Sequence, residues 1–293
     1  MIVIDSADGF LGGLRLGEID PRSTGLVAAH AVLAAGGTVD TRHRLAHSVH
    51  LAHLAEQSPD GPVELAVECL RDDEHLSTRR VLATCGRTPL LSATVSFQLA
   101  RPGRAPRYQR VEPSSAPDPH GLLGGPGAAG VPIDVRCLEP GRHWVRITEE
   151  LPDLVLPHLA ALVFAADLLL VDPGDEWADG RAVNLDLSVR VHQTFRADDW
   201  LLHECTYPSA ADHRTFGTGR FYSPLGRLVA SVSRETALVP STERRGNDVP
   251  SRGHRGQERQ AVPPVLHRGD GLHAEEGGEA ADAGRRLDQA HLL

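Results

Sequence analysis

The stretch that most limits how this chain can fold runs from Asp186 to Glu235, reading DLSVRVHQTFRADDWLLHECTYPSAADHRTFGTGRFYSPLGRLVASVSRE. Leading into it, Val183, Leu185, Leu187, Val189 and Val191 alternate with Asn184, Asp186, Ser188, Arg190 and His192. Successive side chains of an extended strand leave on opposite faces, so a period of two predicts a half-buried strand with the apolar set inward. Three more runs of strand character begin at Trp200, His213 and Arg227, separated by ADD, by Pro208 to Asp212 and by SPLG. Connections this short cannot carry a crossover, so the strands pair antiparallel.

A comparable unit lies upstream. A helix is expected from about Ser23 to Leu33, ended by Gly36 and Gly37, which suit a left-handed helix cap. Strands are expected near His47 to Leu54, Val63 to Leu70, Leu76 to Ala83 and Leu90 to Leu99. A second helix, starting near Pro157, precedes the alternating segment. The two units end alike: LLSATVSFQ from Leu90 and LVASVSRE from Leu228 align Ala93 with Ala230, Val95 with Val232 and Ser96 with Ser233. An internal duplication is the economical explanation. A helix backed by an antiparallel sheet, occurring twice, is an α+β layer arrangement. The expected boundaries are a first repeat over 1–100, a Pro-, Gly-, Ala- and Ser-rich linker over 101–131, and a second repeat over 132–240. Beyond Pro240 the chain is charged, rich in Gly, Pro and Ala, and poor in β-branched and aromatic residues, so 241–293 is expected to be disordered.

Composition excludes several classes. A net charge of −9 is wrong for a general nucleic-acid binder, which needs a cationic surface to displace counterions from phosphates. The most apolar stretch, from Leu154 to Val171, contains His158 and Asp167, and so fits a buried helix better than a membrane span. The start, MIVIDSADGF, lacks the charged and apolar regions of a secretory leader, and a cytoplasmic location is the expectation. Cys69, Cys85, Cys137 and Cys205 lack CxxC spacing, so the spacing suggests neither a zinc site nor a redox pair. His47, His50 and His53 cannot converge on a metal from one strand, because the middle one faces away. Arg79 and Arg80 read as surface strand residues, with a CoA phosphate as the other assignment. There is no GxSxG elbow of the α/β-hydrolase kind.

Asp186, His192, Phe195 and WLL from Trp200, followed without a gap by Arg214, Phe216, Gly219, Phe221, Tyr222, Gly226 and LVAS from Leu228, resemble the C-terminal signature of the acyl-CoA thioesterase II family. TGLVAAHAVLAA, HSVHLAHL, LRDDEHLSTRRV and SATVSFQ are similar to that family's N-terminal repeat, and HLAALVFAADLLL resembles its central helix. The resemblance spans about Gly9 to Pro240. It implies a double hotdog, in which each helix lies in the curl of its sheet and the two sheets join edge to edge. The implied activity is hydrolysis of acyl-CoA to free acid and CoA, in the setting of fatty-acid metabolism, with no metal and no bound cofactor. The implied partner is the acyl-CoA substrate; no nucleic acid and no membrane span are expected, and association into homo-oligomers is left open.

The same resemblance points to site residues. The family holds its attacking water with an Asp, a hydroxyl residue and a Gln on three strands. Asp186 matches the Asp. The hydroxyl position falls in CTYPSA at Tyr207 or Pro208, flanked by the candidates Thr206 and Ser209. Where the family has Gln, this chain has Arg234, which alternation places inward with Leu228, Ala230 and Val232. An inward guanidinium needs a partner, and Asp186 is one candidate. Such a cation would weaken a carboxylate as a base, and Arg donates where Gln both donates and accepts. The alternative function is therefore a non-catalytic or weakly active acyl-thioester-binding protein on the same fold. A hotdog hydratase needs an Asp and a His side by side, and no such pair stands out in the sequence.

Overall fold

In the computed structural model, residues 2–5, 23–55, 61–100, 108–110, 114–122, 124, 132–169 and 180–240 are described. The stretch 241–293, expected to be disordered, lies outside them, as does most of the expected linker. The strands are β1 (Ile2–Asp5), β2 (Arg44–His53), β3 (Val63–Asp72), β4 (Leu76–Cys85), β5 (Thr88–Leu99), β6 (Ile133–Glu139), β7 (Arg142–Ile147), β8 (Gly180–Asn184), β9 (Asp186–Val191), β10 (Leu201–Ala211), β11 (Arg214–Tyr222) and β12 (Leu228–Pro240). The helices are α1 (Thr24–Gly36) and α2 (Val155–Leu169). The strands form one sheet in the order β1-β3-β4-β5-β2-β9-β12-β11-β10-β7-β6, with β8 on the continuation of β12. This is a double hotdog. The two halves join by antiparallel pairing of β2 with β9, from Ser48 opposite Arg190 to Ala52 opposite Asp186.

Each helix is apolar almost all round, which suits a helix enclosed on every side and no other position in a globular protein. Residues 27–36 of α1 and 157–167 of α2 are buried without interruption. The helices pack on each other, and the inward residues of the sheet, among them Val49, Val81, Val95, Phe97, Leu187, Val189 and Phe221, close over them. Ser23 caps α1, its hydroxyl accepting from the Leu26 N–H. The expected left-handed cap is absent: Gly37 is right-handed, φ −60°, and its N–H closes back on Ala35 and Leu33. No helix among the described residues is long and apolar enough to cross a membrane.

The second half contains more sheet than its sequence suggested. The hairpin β6–β7, ahead of α2, extends the sheet beyond β10. On the outer face Trp144, Trp200, Leu202 and Tyr222 form a separate apolar cluster, and the Trp144 indole donates to the Pro117 carbonyl at 2.8 Å. Part of the expected linker thus folds onto the second repeat. Arg79 is not a surface residue: it is 4% exposed and donates to Thr38, to the Arg71 carbonyl and to Asp72. Arg80 is exposed and paired with Glu68.

The β6–β7 turn leans on β10, with the Cys205 N–H donating to the Gly141 carbonyl at 2.7 Å. Gly141 has φ +78°, and a Cβ there would meet the Cys205 carbonyl oxygen at 2.6 Å. Gly141→Ala is expected to destabilise the fold by about 1–3 kcal/mol, through overpacking against backbone and a disfavoured φ. A lowered urea midpoint with an unchanged slope would register it.

Candidate functional site

The alternation that opens the second repeat's sheet is broken once. Leu187 and Val189 face inward and Asp186 and Arg190 outward, as the period predicts, but the run divides at Leu185 into β8 and β9. β9 pairs with β12 up to Ser188 opposite Ser233, whereas β8 resumes pairing at Asn184 opposite Thr236. At the break the Leu185 N–H donates to the Glu235 carbonyl at 2.9 Å, and the His53 N–H donates to the Leu185 carbonyl at 2.9 Å. The Glu235 N–H finds no ladder carbonyl and donates to Asp186 Oδ1 at 2.8 Å. The Asp186 carboxylate is thus held at a fixed point while its residue stays exposed.

The break also turns Asn184 inward, against the face the alternation assigned to it. Its amide donates to Asp167 Oδ1 at 3.2 Å. Asp167 is 5% exposed near the end of α2 and gathers groups from both repeats. Thr24, the first residue of α1, donates its hydroxyl to Oδ2 at 2.6 Å. His53, at the end of β2, brings Nε2 to 3.3 Å from Oδ1, with both ring nitrogens left unaligned for a hydrogen bond. Arg234 faces inward as expected and is 2% exposed, but its partner differs from the one proposed. Nη1 donates to the Asp167 backbone carbonyl at 2.6 Å, Nε is buried without a partner, and no ion pair joins it to Asp186 among the described residues.

The charges explain why this interior tolerates ionised groups. Burial by itself raises the Asp167 carboxyl, but the facing His53, the Arg234 charge and the Thr24 hydroxyl outweigh it and hold the group below its ordinary 3.8. Burial lowers the Arg234 guanidinium, against which the Asp167 charge and, after it, Tyr207 and Asp186 act. A buried charge persists only when such partners offset its desolvation.

The two hydroxyl candidates lie elsewhere. Thr206 is exposed on β10, its Oγ1 3.2 Å from that of Thr218. The β10–β11 register slips between Thr206 and Ser209, so Tyr207 and Pro208 sit in an irregularity and exposed Ser209 pairs with Phe216. Phe216 in turn is opposite Glu235 on β12, whose N–H reaches Asp186. Three strand spacings, up to about 14 Å at ~4.8 Å each, therefore separate the backbone of Ser209 from that of Asp186. The groups brought together are Asp167, Thr24, His53, Asn184 and Arg234. They include the Asp–His pair that did not stand out in the sequence, one member from each repeat. At 2% and 5% side-chain exposure, that pair has no open face toward a substrate among the described residues. The signal for the cluster was available: an Asp inside an apolar helix and an Arg inside an apolar row each require a buried partner.

Comparison with known proteins agrees with this architecture. Residues 24–98 match the model for the acyl-CoA thioesterase N-terminal domain, and residues 92–238 match that for the acyl-CoA thioesterase C-terminal domain. The chain belongs to the acyl-CoA thioesterase II family. Among solved structures it is similar to an acyl-CoA thioesterase II, TesB2, from Mycobacterium marinum, at 31% identity and a TM-score of 0.65, over 75% of this chain and 91% of that one. The tesB protein of Mycobacterium avium subspecies paratuberculosis is 26% identical with a TM-score of 0.63, over 74% and 86%. Human acyl-coenzyme A thioesterase 8 is 25% identical over 258 residues, 73% of this chain and 79% of that protein. Within this family membership, the duplicated repeat explains how one carboxylate on α2 can collect Thr24 and His53 from the other half.

The cluster makes a prediction about acid stability. Asp167 has a folded-state pKa below its unfolded one, so its contribution is present above 3.8 and is lost as pH falls through the folded value. Asp167→Asn removes the carboxylate that faces His53 and offsets the Arg234 charge but keeps the backbone carbonyl that Arg234 reaches, and is expected to cost about 1–3 kcal/mol near neutrality. The difference between wild type and variant, followed by denaturant unfolding across pH, is expected to shrink on acidification below 3.8.

Proposed function

We propose that the chain hydrolyses acyl-CoA thioesters to free acid and CoA, with Asp186 as the base that activates the attacking water. The observation carrying this reading is the anchored, exposed carboxylate at the β8–β9 break, fixed by the Glu235 N–H at 2.8 Å. Attack by water on a thioester carbonyl needs a base within reach of water and a donor for the oxygen that becomes negative, after which the C–S bond breaks and the thiolate of CoA takes up a proton. Asp186 supplies a positioned acceptor. Arg234, adjacent in sequence to Glu235, stands at the position of the family's Gln, with an Nε that has no partner and is itself buried. Thr206 and Ser209, the hydroxyl candidates of the family pattern, lie on β10, three strand spacings from β9, and take no part in this reading. Family membership and the names of the relatives support acyl-CoA as the substrate class, and a cytoplasmic role in fatty-acid metabolism is part of the same proposal.

A second reading is favoured by one residue. Arg234 occupies the place of the family's Gln, is enclosed with Asp167 and carries a charge whose field reaches Asp186. A site so modified binds acyl thioesters and turns them over slowly.

Steady-state hydrolysis of short, medium and long acyl-CoA separates the two. Asp186→Asn is expected to lower kcat by about 10²–10⁴-fold, the usual contribution of a positioned base; full turnover in that variant would remove Asp186 from the mechanism. Arg234→Gln is expected to raise kcat, with unfolding measured alongside because the change also removes a partner of Asp167. Tight binding of acyl-CoA with negligible turnover in the wild type would establish the second reading.

A further inference from the structure

On the inner face of the second repeat three side chains converge that the proposed hydrolysis does not use. His203 on β10 is fully buried, opposite His143 on β7 and Phe221 on β11. Its ring stacks on Phe221 with centroids 4.4 Å apart, and its Nδ1 faces His143 Nε2 at 2.9 Å. Cys205, two residues further along the same strand face, completes a set of ligand atoms that all lie within 4.8 Å of one another. Cys137 on β6 is directly opposite His143, which places it on the same face and next in the cross-strand row. The converged donors are thus two imidazoles and one thiol on two neighbouring strands, with exposed Cys137 as the nearest further thiol in the row.

We propose that His143, His203 and Cys205, with Cys137 as fourth ligand, bind a zinc ion that ties the β6–β7 hairpin to β10. Two imidazole nitrogens and two thiolates form a tetrahedral donor set suited to zinc. Zinc bonds to nitrogen at ~2.0–2.1 Å, which sets the two nitrogens about 3.3 Å apart, so the facing rings need to separate by only a few tenths of an ångström. His143 is half-buried beside the edge strand β6 and can yield by that amount. The rest of the surroundings hold the ligands still. His203 is pinned by Phe221 and by Gly219, where a Cβ would come within 2.6 Å of His203 Nε2. The Cys205 N–H is bonded to Gly141 in the hairpin turn. CxxC spacing is absent because the sheet, not a loop, collects these ligands.

The test uses the full chain, stripped with chelator and titrated with Zn²⁺ and, separately, Co²⁺. One equivalent of zinc per chain and a near-ultraviolet thiolate-to-cobalt charge-transfer band are expected. Cys205→Ser is expected to weaken that band, and His143→Gln to lower zinc affinity at least ~10-fold, since even residues that only support metal ligands contribute that much. Zinc is also expected to raise the Tm of the wild type and not that of a Cys205→Ser, His143→Gln double variant. Absence of the charge-transfer band in the wild type overturns the proposal whether or not the variants fold. So does zinc binding of unchanged affinity in the double variant, which would place the ion on other histidines.

Discussion

The antiparallel pairing of β2 with β9 is the contact on which the rest of the molecule depends. Either repeat alone would leave an open sheet edge of unpaired N–H and C=O groups and a helix with an uncovered apolar side. Joining the edges removes both costs at once, because the same step brings α1 and α2 together inside the curl. It also creates the polar interior. Thr24 and His53 belong to the first repeat and Asp167, Asn184 and Arg234 to the second, so their meeting place does not exist until the halves join.

That interior shows how a buried apolar row absorbs a charged residue. Arg234 enters a row of apolar residues, where an unpartnered guanidinium would cost several kcal/mol. The α2 terminus supplies a backbone carbonyl at 2.6 Å and the field of a carboxylate, while the carboxylate oxygens themselves are occupied by Thr24 and Asn184 and faced by His53. The charge is tolerated through the helix end more than through a direct ion pair. Asp186 is thereby left unpaired with Arg234, anchored among the described residues by the Glu235 backbone N–H.

Much of this was legible from residue order. The alternation around Leu187 and Val189, the helix of TGLVAAHAVLAA, the enclosed helix around Asp167 and the repeat of SATVS in VASVS all translate directly into elements, because local periodicity records which face is buried. The β6–β7 hairpin escaped because IDVRCLEPGRHWVRI mixes charged and apolar residues at an edge of the sheet, where one strand has a single neighbour. The division at Leu185 escaped because a break in pairing leaves the alternation of residue types intact. What changes is only which carbonyl the Glu235 N–H can reach.

The sequence by itself determined the two helix-and-sheet repeats, the inward direction of Arg234 and the register that singles out Asp186, since each follows from the period of one segment or from a matching motif. Only the tertiary structure decided the partners. That Arg234 meets Asp167 and not Asp186, that Thr206 and Ser209 lie on a strand not adjacent to β9, and that His143 and His203 face each other are properties of strands brought side by side. The reason is physical: a side chain's face is set by its own backbone, whereas its neighbours are set by pairings between residues up to 143 positions apart in the chain.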